Sequence, residues 1–208
     1  DLHYPLRRQR QMCIRDSRHT DEIADALAER IGPQDVRPPD DPEATLAAFT
    51  IPGAAKAIWQ QIESLIDKPG VRHATARHGS RFVEGERCGW LRPTIVECDS
   101  PDPEIARAEY MFPFCSVVKC PQEKMLERIG PTLVATAITN DTDFQQQLIN
   151  ANHIDRLNFG PLPTIKLDWL QPHEGNIIDF LYRSRALQMA ATSELVSTAT
   201  AAPAQSGR

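Results

Sequence analysis

No apolar run in this 208-residue chain approaches the roughly 20 residues that a helix needs to cross a bilayer. A membrane-spanning role is therefore not expected. Positive charge is not in excess either: 23 Lys and Arg stand against 28 Asp and Glu, a formal net charge of -5. Nonspecific nucleic-acid binding needs clustered Lys and Arg, so no nucleic-acid partner is expected. Cysteines are few. None of the five forms a CxxC pair, and none stands at a zinc-type spacing from His, so no metal site is expected. Cys88, Cys98, Cys115 and Cys120 read as reduced, non-catalytic thiols in a cytoplasmic protein. No internal repeat is visible.

What is present is the composition of a soluble globular domain, 41% hydrophobic and 25% charged. Residues 18 to 189 are enough for one domain with its own core. The 17 prolines fall between periodic segments, which suits an α/β fold with many short loops. Residues 190 to 208, rich in Ala, Thr, Ser and Pro, read as a disordered tail.

Residues 7 to 17, Arg-Arg-Gln-Arg-Gln-Met-Cys-Ile-Arg-Asp-Ser, read codon by codon as a transposon-type sequencing-library adapter translated in frame. A basic arm for nucleic acid or targeting is the alternative. On the adapter reading, residues 1 to 17 are a non-native leader that packs against nothing specific. Cys13 is then not credited as a nucleophile. On that reading the native sequence starts near Arg18 as the later part of a longer chain.

Thr20 can cap a helix whose apolar positions Ile23, Leu27 and Ile31 recur at i, i+4 and i+8, with Gly32-Pro33 as its stop. A short helix is expected over residues 42 to 48. A long one is expected over residues 52 to 66, with Ala55, Ile58, Ile62 and Ile66 on one face. Residues 72 to 89 read as a hairpin or loop excursion, with His73 and His78 solvated. Strands are expected at residues 94 to 98 and 114 to 120, a helical turn at 103 to 108, and a helix at 122 to 129. The β-branched run at 132 to 139 has the look of a central parallel strand. Asp141 can cap a helix reaching Asn150, and residues 176 to 189 are read as a closing helix. Strand and helix alternate, which gives βαβ crossovers and a parallel sheet.

Two segments invite a chemical reading. Ile105-Ala-Arg-Ala-Glu-Tyr-Met-Phe-Pro-Phe114 carries a carboxylate, Glu109, just ahead of a strand. By periodicity alone it is an ordinary helix-end carboxylate. Residues 155 to 164, Asp-Arg-Leu-Asn-Phe-Gly-Pro-Leu-Pro-Thr, read as a strand opening into a proline-pinned loop. Such rigid loops are good places to hold a small molecule. Ile165, Leu167 and Trp169 then alternate at strand period. His173-Glu174 sits in a turn and has no third ligand nearby, so it reads as structural.

These blocks, with Gly89-Trp-Leu-Arg-Pro-Thr-Ile-Val96, occur in an order that resembles the aldehyde dehydrogenase superfamily over most of residues 18 to 186. The resemblance implies a parallel-sheet α/β catalytic domain, truncated at its N-terminus, with NAD or NADP as cofactor and a small aldehyde as substrate. It implies a thiohemiacetal and then a thioester on a cysteine upstream of the reliable sequence, with the general-base Glu also upstream, so the fragment alone is expected to be inactive. It puts Glu109 on the nicotinamide ribose, where a carboxylate can accept from both hydroxyls of a diol. Pro113 stands at the strand entrance. Met111 and Phe112 stand where the family usually has Phe and Gly, which implies a reshaped cofactor pocket. Asn158, Gly160, Pro161, Leu162 and Thr164 would wall the aldehyde tunnel. The parent would be a possible homo-oligomer. A non-catalytic pseudoenzyme or protein-binding module of the same fold is the rival reading.

Overall fold

The computed structural model describes residues 19–38, 40–163 and 186–189, together with the backbone of residues 12–15. The chain divides into two compact units, Asp1–Arg128 and Ile129–Arg208.

In the first unit, β1 (Met12–Arg15) is followed by α1 (Thr20–Ile31) and α2 (Ala54–Ile66). Next come β2 (Val71–His73), a 3-10 turn at Ala74–His78, and the hairpin of β3 (Phe82–Glu84) and β4 (Gly89–Leu91). Strands β5 (Thr94–Cys98) and β6 (Phe114–Lys119) flank a 3-10 turn at Glu104–Arg107, and α3 (Gln122–Ile129) follows. The main sheet runs β1-β6-β5-β2. Its first three strands are parallel and β2 is antiparallel. Every residue of β5 is buried, as a strand covered on both faces requires. Alternation separates those faces. Ile95 and Val117 join Ala24 and Ala28 of α1 on one side. Val96, Cys98, Phe114 and Val118 join Ala55 and Ile62 of α2 on the other. Each such aliphatic side chain contributes about 1.5–3 kcal/mol when fully buried.

Strand β1 corrects the expectation that residues 1 to 17 pack against nothing. Met12–Arg15 pairs with Ser116–Lys119 in parallel. The reason lies in the backbone. The far edge of β6 presents unpaired N–H and C=O groups, and an extended segment satisfies them whatever side chains it carries. Thr20 is also not a cap. It opens α1 from inside, fully buried, and His19 holds the cap position with no side-chain bond. Residues 42 to 48 form turns rather than a helix. The Asp41 carboxylate takes the Glu43 amide, and the Phe49 backbone pairs with Gly89 instead. The Gly53 φ of 77° gives α2 its sharp start.

The second unit holds β7 (Thr132–Ala137), α4 (Thr142–Asn150), β8 (Ile154–Phe159) and β9 (Ala186–Met189). Asp141 caps α4 as expected, accepting from the amides of Asp143 and Phe144 at 3.0 Å each. The three strands are parallel in the order β7-β8-β9. Among the described strands β8, not β7, is therefore the middle one. Residues 186–189 are a strand rather than the end of a helix. The rest of that expected helix, the alternating segment at 165–169 and the His173-Glu174 turn lie outside the described residues.

Candidate functional site

Glu109 lies between the Glu104–Arg107 turn and β6. Ser116 ties that turn to the sheet, its hydroxyl donating to the Ile105 carbonyl at 2.7 Å. The Thr94 amide donates to the Pro113 carbonyl at 2.9 Å, so the approach to β6 is fixed against the start of β5. Aromatic rings anchor the intervening loop. Tyr110 meets Phe114 edge-on at 4.8 Å, and Phe112 lies 5.8 Å from Tyr110 and 6.0 Å from Phe114. Burial raises the Tyr110 phenol pKa, and Glu104 adds to the rise. The result is a stiff segment at the amino ends of the parallel strands. On it Glu109 is half-buried, Met111 is 94% exposed and Phe112 is sunk in the core. Phe112 can therefore offer a ligand only its backbone. Glu109 and Met111 face outward enough to meet one.

The other candidate residues belong to the second unit. Asn158 is fully buried near the carboxyl end of β8. Its Nδ2 donates to Thr136 Oγ1 at 3.1 Å, while its Oδ1 is buried with no hydrogen-bond partner. Gly160 follows with φ of 84°, which glycine adopts without strain. Its amide donates to the Ala137 carbonyl at 2.9 Å, and the Leu162 amide returns to the Gly160 carbonyl at 2.8 Å. Pro161 is exposed and Leu162 half-buried, whereas Thr164 lies outside the described residues. Residues that the sequence reading passed over complete this layer. Thr136, Asn158 and Gln188 stand in one row across β7, β8 and β9. Fully buried Arg156 donates to Gln188 Oε1 at 3.3 Å. Thr136 was detectable only as a hydroxyl inside an apolar run; its partners depend on strand register.

At the carboxyl ends of β5 and β6 sits a charged cleft of about 270 Å³. Lys119 Nζ reaches Asp21 at 2.9 Å, and Glu97 and Asp99 at 3.3 Å each. Arg72 bridges Asp25 at 2.7 Å and the buried Glu97 at 2.5 Å. A hydrogen bond shared with Glu97, then Lys119, holds the Asp21 carboxyl down at about 2. These charges answer one another.

Two of the described cysteines are held as thiols. Burial, with Asp99 and Glu97 nearby, pushes the Cys98 thiol up to about 12, and burial raises Cys120. His73 departs from the solvated reading: it is half-buried 6.0 Å from the Trp59 ring. Burial, then the charge of Arg81, lowers it to about 4. Among the described residues no group of three or more His, Cys, Asp or Glu is placed to hold a metal ion. None of the described helices is long and apolar enough to cross a membrane.

By sequence, no family model and no curated protein matches the chain. By structure, it has the fold of part of the aldehyde dehydrogenases. The structure of 3,6-anhydro-L-galactose dehydrogenase in complex with NAP is 17% identical, with a TM-score of 0.58 over 72% of this chain and 32% of that one. An NAD+ complex of aldehyde dehydrogenase from Bacillus cereus is 17% identical, with a TM-score of 0.56 over 72% and 30%. A NAD-dependent benzaldehyde dehydrogenase from Corynebacterium glutamicum is 18% identical, with a TM-score of 0.53 over 88% and 32%. The chain thus spans about a third of the length of the solved structures it resembles.

Proposed function

We propose that residues 18 to 189 are part of the catalytic domain of an NAD(P)-dependent aldehyde dehydrogenase that oxidises a small aldehyde to the carboxylic acid. The observation that carries the reading is the fold, shared with structures of such enzymes over 72% of the chain. Glu109 is the residue for the cofactor ribose. Its carboxylate sits on an anchored loop beside an exposed side chain, and an anionic acceptor fits a vicinal diol. A nicotinamide cofactor bound there would supply the hydride acceptor. This chain's part is to hold the ribose and to keep the loop from yielding. Met111 covers the cofactor side, and Phe112 lends backbone. Gly160, Pro161 and Leu162, in the turn that follows Asn158, serve as a wall for the aldehyde. Burial favours the thiol over the thiolate at Cys98 and Cys120, so neither is assigned as the nucleophile. That observation also favours a second reading, a non-catalytic module of the same fold.

Titration of the 15N-labelled chain with NAD+ and with NADP+ tests the cofactor assignment. Enzyme ancestry predicts amide shifts confined to residues 108–112, and these should weaken in Glu109→Gln. No shift there at millimolar cofactor would remove Glu109 from the site.

A further inference from the structure

The Thr136 hydroxyl stands between two groups, Asn158 Nδ2 at 3.1 Å and the Leu162 carbonyl at 3.3 Å. It has one proton to give. A carbonyl can only accept, so that proton goes to Leu162, and Thr136 Oγ must accept from Asn158. The direction of the chain is therefore forced. It turns the Asn158 nitrogen toward β7 and leaves Oδ1 facing away from it, buried and without a partner. The same hydroxyl grips the far end of the Gly160–Leu162 turn, whose near end is held by the Gly160 amide on Ala137. Strand register makes this possible: Thr136 lies directly opposite Asn158.

We propose that Thr136 is a positioning residue, whose hydroxyl sets both the carboxamide orientation of Asn158 and the conformation of the Gly160–Leu162 turn. Its relevance to substrate rests on the reading of that turn as the aldehyde wall. The geometry does not, because both hydrogen bonds are internal to β7, β8 and the turn. The turn contains Pro161 and is followed by Pro163, neither of which has an amide to donate. Among the described residues, only the Thr136 hydroxyl holds the Leu162 carbonyl to the sheet.

The test is amide hydrogen exchange on the 208-residue chain, wild type against Thr136→Val and Thr136→Ser. Valine keeps the shape and removes the hydroxyl; serine keeps the hydroxyl. Thr136→Val should speed exchange of the Gly160 and Leu162 amides about tenfold, the effect of one lost hydrogen bond on a local opening, with Leu157 and Phe159 unchanged. Thr136→Ser should restore the wild-type rates. Unchanged exchange at Gly160 and Leu162 in Thr136→Val overturns the proposal. So does an equal rise throughout β8, which would make Thr136 a stability residue only. If Thr136→Val does not fold, the wild type decides. A slowly exchanging Thr136 hydroxyl proton, with cross-relaxation to the Asn158 carboxamide, supports the assignment, and its absence overturns it. No aldehyde or cofactor enters, so this result and that of the cofactor titration can fail separately.

Discussion

Arg81 Nη1 donates to the carbonyl of Gly32 at 3.0 Å, joining residues 49 positions apart. The same guanidinium reaches the carbonyls of Pro93 at 3.2 Å, Gly79 at 3.0 Å and His78. It is 1% exposed. One buried cation thus closes the end of α1, the turn before β3 and the entry to β5, using the planar fork of donors that only arginine offers. Arg81→Lys keeps the charge and loses the fork, stranding several buried carbonyls. The expected loss is about 3 kcal/mol, or roughly 10 °C in thermal midpoint. Thermal unfolding followed by circular dichroism measures it. A midpoint matching the wild type would show that lysine serves as well.

His73 gives the fold an acid limit of its own. Its folded value, about 4, lies below the ordinary 6.5. In the unfolded chain the ring takes a proton as pH falls through 6.5; in the folded chain it does not until about 4. Protonation therefore favours unfolding, and stability present above 6.5 is lost down to about 4. The contribution is about 3 kcal/mol at most. Carboxylates such as Asp21, lowered to about 2, act mainly at lower pH. Urea unfolding across this window should show a fall in stability that His73→Gln largely flattens. Parallel pH curves for the two proteins would mean that His73 is solvated after all.

Strand β1 makes a different demand on its residues. If it serves by covering the edge of β6, the backbone matters and the side chains do not. Cys13→Ala should leave the thermal midpoint where it is. Prolines at both Cys13 and Ile14, one of which must aim its N–H at β6, remove a donor from the ladder and should lower it by about 3 °C. Equal midpoints for the double proline variant and the wild type would mean that the pairing contributes nothing.

Much of this was legible in the sequence, and the reason differs from element to element. The helices α1 and α2 announced themselves by i, i+4 spacing, α4 by the Asp141 cap, and β5 and β6 by β-branched runs between turn residues. Strand β2 did not, because three residues are too few for alternation and their pairing with β5 is non-local. The helix expected over residues 42 to 48 had local propensity on its side, but the Asp41 carboxylate and the Phe49 pairing favoured turns. At the candidate site, the loop carrying Glu109 could be located by its neighbours in sequence. The bond from Asn158 to Thr136 could not, since a shift of one residue in register would have put another side chain opposite.

With Cys98 and Cys120 held as thiols, the chain alone should not turn over aldehydes. Incubated with NAD+ or NADP+ and an aldehyde panel, it should give no reduced-nicotinamide absorbance. Turnover abolished by Cys13→Ala would reinstate Cys13 as the nucleophile.

The assignment of Glu109 can also be read in kinetics, in any form of the protein that turns over an aldehyde. A carboxylate that accepts from both ribose hydroxyls fixes the sugar, and the sugar fixes the nicotinamide ring. Each such charge-assisted bond is worth about 1.5–3 kcal/mol, and a misplaced ring loses rate as well as affinity. Glu109→Gln retains the shape and removes the charge, and one of its two terminal atoms becomes a donor. Cofactor affinity should then fall roughly tenfold or more. Hydride transfer should slow more than capture of the aldehyde by the thiol, because capture does not depend on where the ring sits. Transient kinetics with a deuterated aldehyde reads the difference directly, as a slower hydride phase and a larger isotope effect on turnover. If affinity, hydride rate and isotope effect all match the wild type, Glu109 is a surface carboxylate and its assignment to the ribose is wrong.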